Sequence, residues 1–112
     1  MNIYSDKLLL DVWKKAEEVY GYDNRIWRKD FAGAWIRYDH YGIKDSYGWE
    51  IDHKKPQAQG GTDNIRNLQP LQWKNNLEKS DILVEYLNLV LYFLFFSFDK
   101  NNSCADKTIM FL

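Results

Sequence analysis

The sequence predicts an α+β fold, with short strands held between an N-terminal and a later helix. Three observations point there. Apolar residues recur at helical spacing from Leu8 to Val19. Short runs rich in Trp, Ile and Tyr, bounded by Gly, Pro, Asn and Asp, fill the middle of the chain. A helix-compatible polar segment opens at Trp73.

Each element has its own signal. Ser5 or Asp6 can cap the first helix, whose inner stripe is Leu8, Leu9, Val12, Trp13, Ala16 and Val19, with Gly21 as the stop. Tyr22 to Phe31 is polar and mixed, with Arg25, Arg28 and Lys29 close together. Gly33 to Tyr38 reads as a strand, Asp39 to Ser46 as a turn containing Gly42, and Tyr47 to Asp52 as a second strand with Trp49 and Ile51 on one face. The loop from Lys54 to Arg66 carries Pro56, Gly60-Gly61 and Asp63-Asn64, all turn-forming chemistry. Asn67 to Leu71 is a short extended piece, and Trp73 to Asp81 a second helix ended by polar residues. Trp35, Trp49 and Trp73 are expected in the core. Residues 1–81 form the expected domain, and 82–112 a hydrophobic segment expected as a helix with a frayed end.

Composition narrows the function classes. At 112 residues and 13.5 kDa the chain fits one small domain, and 46% hydrophobic residues suffice for its core. A formal net charge of −1 argues against a protein that simply coats nucleic acid, which should be strongly basic. One cysteine, Cys104, excludes an internal disulfide and a four-cysteine zinc site, so packing must hold the fold and a cytoplasmic setting is expected. The first residues lack the pattern of a secretory signal. Ile82 to Phe98 is apolar over 17 residues but contains Glu85, and a bilayer span needs roughly 20. Packing on the domain, or on a protein partner or second copy through 82–98, is expected before membrane contact.

The chemistry concentrates in Ile51-Asp52-His53-Lys54-Lys55-Pro56, Asn67-Leu68-Gln69-Pro70-Leu71 and Asn75-Asn76-Leu77-Glu78-Lys79-Ser80-Asp81. His53 and Asn67 are 14 residues apart, and Asn67 and Asn76 are 9 apart. These gaps, the Asp before the His, the Gly-Gly-x-Asp loop and the Lys-Ser-Asp ending resemble the HNH endonuclease motif, in its variant with Asn as the last letter. The resemblance covers roughly 48–81 and implies a ββα-metal unit, with the N-terminal helix beside it. Many relatives brace that unit with Cys-x-x-Cys pairs and zinc; none exists here, so no structural zinc is expected.

Phosphodiester hydrolysis needs an activated water and neutralisation of charge on the phosphate, which one divalent ion and one general base can supply. An imidazole of ordinary pKa, ~6.5, is largely neutral at pH 7, as a proton acceptor must be. His53 is the expected base. Asp52 and Asn76 offer a carboxylate and an amide oxygen, a donor pair that suits Mg²⁺ or Mn²⁺. The resemblance implies that Asn67 is structural, its amide pinning the loop that orients His53. Adjacent strand residues point to opposite faces, so Asp52 and His53 can share a site if the strand ends or twists there. Lys54, Lys55, Arg66, Lys74 and Lys79, with Arg28 and Lys29, are the expected contacts to the backbone of double-stranded DNA. Asn75 is the poorer ligand candidate by its spacing. The competing reading is a non-catalytic or degenerate module of the same type that binds nucleic acid.

Overall fold

The structure, a computed structural model, describes residues 3–99, with side chains through Phe95. The expected frayed end beyond residue 99, with Cys104, lies outside the described residues. Two compact units divide the chain, Met1–Asn76 and Leu77–Leu112. The architecture is α+β, in the order α1 (Asp6–Trp13), β1 (Trp27–Lys29), β2 (Trp35–Arg37), β3 (Trp49–His53), β4 (Leu68–Gln72) and α2 (Trp73–Asp99). β1 pairs antiparallel with β2, and β3 with β4, giving two separate two-stranded sheets among the described residues.

Ser5 caps α1, its hydroxyl accepting from the Leu8 amide at 3.1 Å. The helix then stops at Trp13, not at the expected Val19 or Gly21. The reason is non-local. Glu17 exchanges two backbone hydrogen bonds with Lys29, at 2.8 and 3.0 Å. The Arg28 guanidinium takes the carbonyls of Lys14 at 3.2 Å and Ala16 at 3.1 Å, which a longer helix would have used itself. Both ties come from β1, inside the stretch read as polar and mixed. At the other end of the chain, α2 runs past the polar residues expected to end it at Asp81. Glu, Lys, Ser and Asp tolerate a helix, and neither Gly nor Pro occurs between Trp73 and Asp99. Among the described residues no helix is long and apolar enough to cross a membrane.

In the first unit, the core is Leu9, Val12, Trp13 and Ala16 against Ile36, Trp49, Ile51 and Leu68. Trp13 sits at its centre, 5.4 Å from the Trp49 ring and edge-on to Tyr38 at 5.3 Å. Both indole N–H groups donate to backbone carbonyls, Trp13 to Asn24 and Trp49 to Tyr38, so the rings bury without orphaning a donor. Each fully buried large apolar side chain contributes about 1.5–3 kcal/mol. Of the three tryptophans expected in the core, Trp49 is fully buried. Trp35 and Trp73 are half-buried. Trp35 packs on Tyr22 and Trp27, and Trp73 donates to the Asp45 carbonyl at 2.7 Å.

One buried carboxylate joins the two sheets. Asp30, only 1% exposed, follows β1. Its Oδ1 accepts from the Ala34 amide at 2.8 Å, closing the β1–β2 turn. Its Oδ2 accepts from the Gln72 amide at 3.0 Å and from Asn75 Nδ2 at 2.9 Å, at the junction of β4 and α2. A substitution here strands buried donors. Asp30→Ala is expected to lower the stability of folding by about 2–4 kcal/mol, read as a lower urea midpoint with an unchanged m-value.

Candidate functional site

Strand β3 is the platform. Its alternation sends Trp49 and Ile51 into the core and puts Glu50 and Asp52 together on the other face. Asp52 is buried, and Gln69, its cross-strand partner on β4, donates from Nε2 to Oδ2 at 2.8 Å. The first turn of α2 brings two neighbouring amides into the first unit. Asn75 Nδ2 goes to Asp30 and fixes the helix start. Asn76 Nδ2 donates to Glu50 Oε2 at 2.9 Å, so Asn76 meets the Glu50 side of β3. The two asparagines thus divide, Asn75 bonded to Asp30 and Asn76 to Glu50.

His53 is the last residue of β3. The strand runs one residue past its expected end at Asp52 and stops at His53. His53 pairs with Leu68, and the Lys54 amide donates to the Asn67 carbonyl at 2.7 Å. The imidazole is turned toward the following loop, where Nε2 lies 2.7 Å from Asp63 Oδ1. His53 is well covered, its side chain 13% exposed, whereas that of Asp63 is 62% exposed. Asp52, His53 and Asn76 are therefore each held by a different polar partner.

The loop between β3 and β4 is closed by Asn67. Its Oδ1 accepts from the Lys55 amide at 2.8 Å, and its Nδ2 donates to the carbonyls of Lys55 at 3.1 Å and Thr62 at 2.8 Å. The two chain segments touch so closely that a Cβ at Gly61 would sit 1.7 Å from the Lys55 oxygen. Only glycine fits there. Lys55, Gly61, Thr62, Asn64, Arg66 and Asn67 line a shallow depression over this loop.

Further groups surround the site. Burial, and then the charge of Asp63, push the Tyr4 hydroxyl up from its ordinary pKa. Burial, then Tyr4 and Glu50, do the same to Tyr41. Both phenols stay protonated at neutral pH and add no charge. Lys15 donates from Nζ to the carbonyls of Ile65 and Leu68, tying the segment after α1 to β4 and the turn before it. Its pKa is lowered by burial and by the charge of Lys54 nearby.

The expected DNA-contacting residues differ in their surroundings. Lys54, Lys55, Arg66 and Lys74 are exposed on the first unit. Lys74 lies 5.6 Å from the Trp73 ring. Lys79 is on α2 within the second unit. Lys29 stands over Trp35 at 4.9 Å. Arg28 is a correction: it is 7% exposed and committed to the carbonyls of Asn24, Lys14 and Ala16 and to Glu18. It is an internal brace, with four of its five N–H donors already engaged inside the unit. Sequence reasoning missed Glu50, Gln69, Asp63 and Asp30. Glu50 was discoverable, since it stands two residues before Asp52 and so shares its face.

Among the described residues no three His, Cys, Asp or Glu side chains gather into a ready metal cage. The donor chemistry nevertheless suits a hard cation. Asp52 carries a carboxylate and Asn76, whose Nδ2 donates to Glu50, an amide oxygen, both of the donor type that a hard cation takes. Two carboxylates on one face, Glu50 and Asp52, concentrate negative charge that a cation would neutralise. Glu50 would then orient the Asn76 amide from behind.

Compared with known proteins, residues 40–81 match the HNH endonuclease family. No curated protein and no solved structure matches the chain.

The contacts of Asn67 make a local prediction. Asn67→Ala should loosen the loop more than the fold. We expect faster hydrogen exchange at the Lys55 amide and a loss of about 1–2 kcal/mol in global stability, with the Trp49 amide protected as before.

Proposed function

The chain carries an HNH endonuclease domain over residues 40–81, and from that premise we propose that it is a metal-dependent endonuclease that hydrolyses phosphodiester bonds in DNA. The observation that carries the reading is the delivery of Asn76 by α2 to the Glu50–Asp52 face of β3, with His53 next in the strand.

Asp52 and Asn76 would hold the cation, with Gln69 and Glu50 fixing their orientation. A bound Mg²⁺ or Mn²⁺ supplies charge neutralisation on the phosphate and on the departing oxygen. The protein's own part is proton handling and positioning. The His53 imidazole takes a proton from water as the hydroxide forms a bond to phosphorus. The P–O3′ bond breaks, and the departing oxygen takes a proton from solvent. The products carry 5′-phosphate and 3′-hydroxyl ends. Double-stranded DNA is the expected substrate. Asn67 keeps the loop after His53 closed, and Lys54, Lys55, Arg66 and Lys74 meet the DNA backbone.

Cleavage of supercoiled plasmid tests this. Wild type with Mg²⁺ is expected to cut, and EDTA to abolish cutting. His53→Ala and Asn76→Ala should each lose at least about 100-fold in rate. Equal rates in all three proteins would refute the assignment. A protein that shifts DNA on a gel yet stays inert with Mg²⁺ and Mn²⁺ would instead be a non-catalytic binding module. A second test addresses the depression beside the loop. Lys55→Ala and Arg66→Ala should weaken binding to duplexes of any sequence, measured in EDTA. Each should reduce the steepness of the salt dependence by about one unit of slope.

A further inference from the structure

The β1–β2 sheet carries a feature that the candidate site does not use. Each of its strands has a buried middle residue, Arg28 in β1 and Ile36 in β2. Alternation turns Trp27, Lys29, Trp35 and Arg37 to the opposite face, where all four are half-buried. The register pairs Trp27 with Arg37 and Lys29 with Trp35 across the two strands. Each pair sets a cation against a ring. The Arg37 guanidinium lies 5.4 Å from the Trp27 ring, and the Lys29 ammonium 4.9 Å from the Trp35 ring. Rings and cations thus alternate over the four positions, with the two indoles on one diagonal, 6.1 Å apart. Two tyrosines lengthen the row. Tyr22 lies 4.7 Å from Trp35 and is 54% exposed, and Tyr47 lies 4.9 Å from Trp27 and is 40% exposed. Neighbouring rings meet at 52°, 88° and 89°, so none of them is closed by stacking flat on the next.

Apolar ring surface left in water marks a place where a partner gains by covering it. The chemistry of the face narrows that partner. Its four sheet positions bear two positive charges and no negative one, which complements a phosphate backbone. Its flat rings complement the faces of bases. A duplex keeps those faces stacked inside, whereas a single strand presents them. We propose that the outer face of β1 and β2, with Tyr22 and Tyr47 at its ends, is a binding platform for single-stranded DNA. The rings stack on bases, and Lys29 and Arg37 meet phosphates. Arg37 also holds Asp39 through Nε at 2.7 Å, which engages one of its five N–H donors. None of these six residues takes part in the hydrolysis described above, and binding here needs no metal. The choice of DNA over RNA rests on the nuclease reading; the stacking platform itself does not.

The test is binding to the full-length protein in EDTA, so the outcome does not depend on whether the protein cuts. The probes are oligothymidine of about 16 nucleotides, a strand of the same length without bases, a duplex of that length and oligouridine. Oligothymidine is expected to quench tryptophan fluorescence and to bind at least about 10-fold more tightly than the strand without bases. Trp35→Ala and Tyr22→Ser should each weaken oligothymidine binding by about 5-fold or more, with duplex binding as in the wild type. Trp35→Phe, which keeps a ring, should recover most of the loss. Tyr22 is exposed, so Tyr22→Ser keeps the question open to experiment where Trp35→Ala fails to fold. Equal affinity for strands with and without bases overturns the proposal, as does wild-type affinity in Tyr22→Ser and Trp35→Ala. An equal loss of single-strand and duplex binding in both variants shows a merely structural role and overturns it too. Tighter binding of oligouridine than of oligothymidine overturns it in favour of RNA.

Discussion

The first unit depends on one buried carboxylate. Neither two-stranded sheet is stable by itself, because an isolated hairpin in water is marginal. Asp30 links them: one oxygen closes the β1–β2 turn, and the other receives a backbone amide at the end of β4 and a side-chain amide from the start of α2. Three donors share a buried charge that would be costly without them. The first turn of α2 is fastened at this point. Asn75 and Asn76 are adjacent, so fastening the first to Asp30 also determines where the second arrives.

The candidate site follows one design throughout. Each residue assigned a chemical part has a polar partner on a different element. Gln69 of β4 turns the Asp52 carboxylate, Glu50 of β3 holds the Asn76 amide, and Asp63 of the loop meets the His53 ring. Partners of this kind matter because a site gains most when its groups are oriented before the substrate arrives. The aromatic core under β3 gives the platform its rigidity, with Trp49 and Ile51 facing Trp13 on the side away from Glu50 and Asp52.

Much of this could be read from the residues, and the failures share a cause. β3, β4 and the start of α2 were legible because local pattern and tertiary contact agree there. Asp52, His53, Asn67 and Asn76 could be singled out as candidates because motif spacing is a property of sequence. The length of α1 was not. Its apolar period continues to Val19, but the carbonyls that would extend it are taken by Arg28, fourteen and twelve residues away in sequence. For the same reason Arg28 looked like a surface cation. Strand β1 is three residues long and largely cationic, which no strand pattern announces. Asp30 lies in a polar stretch, and its importance exists only once β4 and α2 are in place. The C-terminal bound of α2 was misjudged because polar residues were taken for a stop, although they lower no helical tendency enough to cause one.

The contact of Gly61 with the Lys55 carbonyl leaves the loop without slack. A side chain at 61 would push that carbonyl outward and drag the strand end that carries the imidazole. An extra residue between Pro56 and Thr62 would have to be extruded into solvent. Change in this part of the chain is thereby channelled to the exposed side chains of Gln57, Ala58 and Gln59, which can vary in size and charge while the backbone beneath them keeps its path. Exposed side chains such as these are where the loop has room to change.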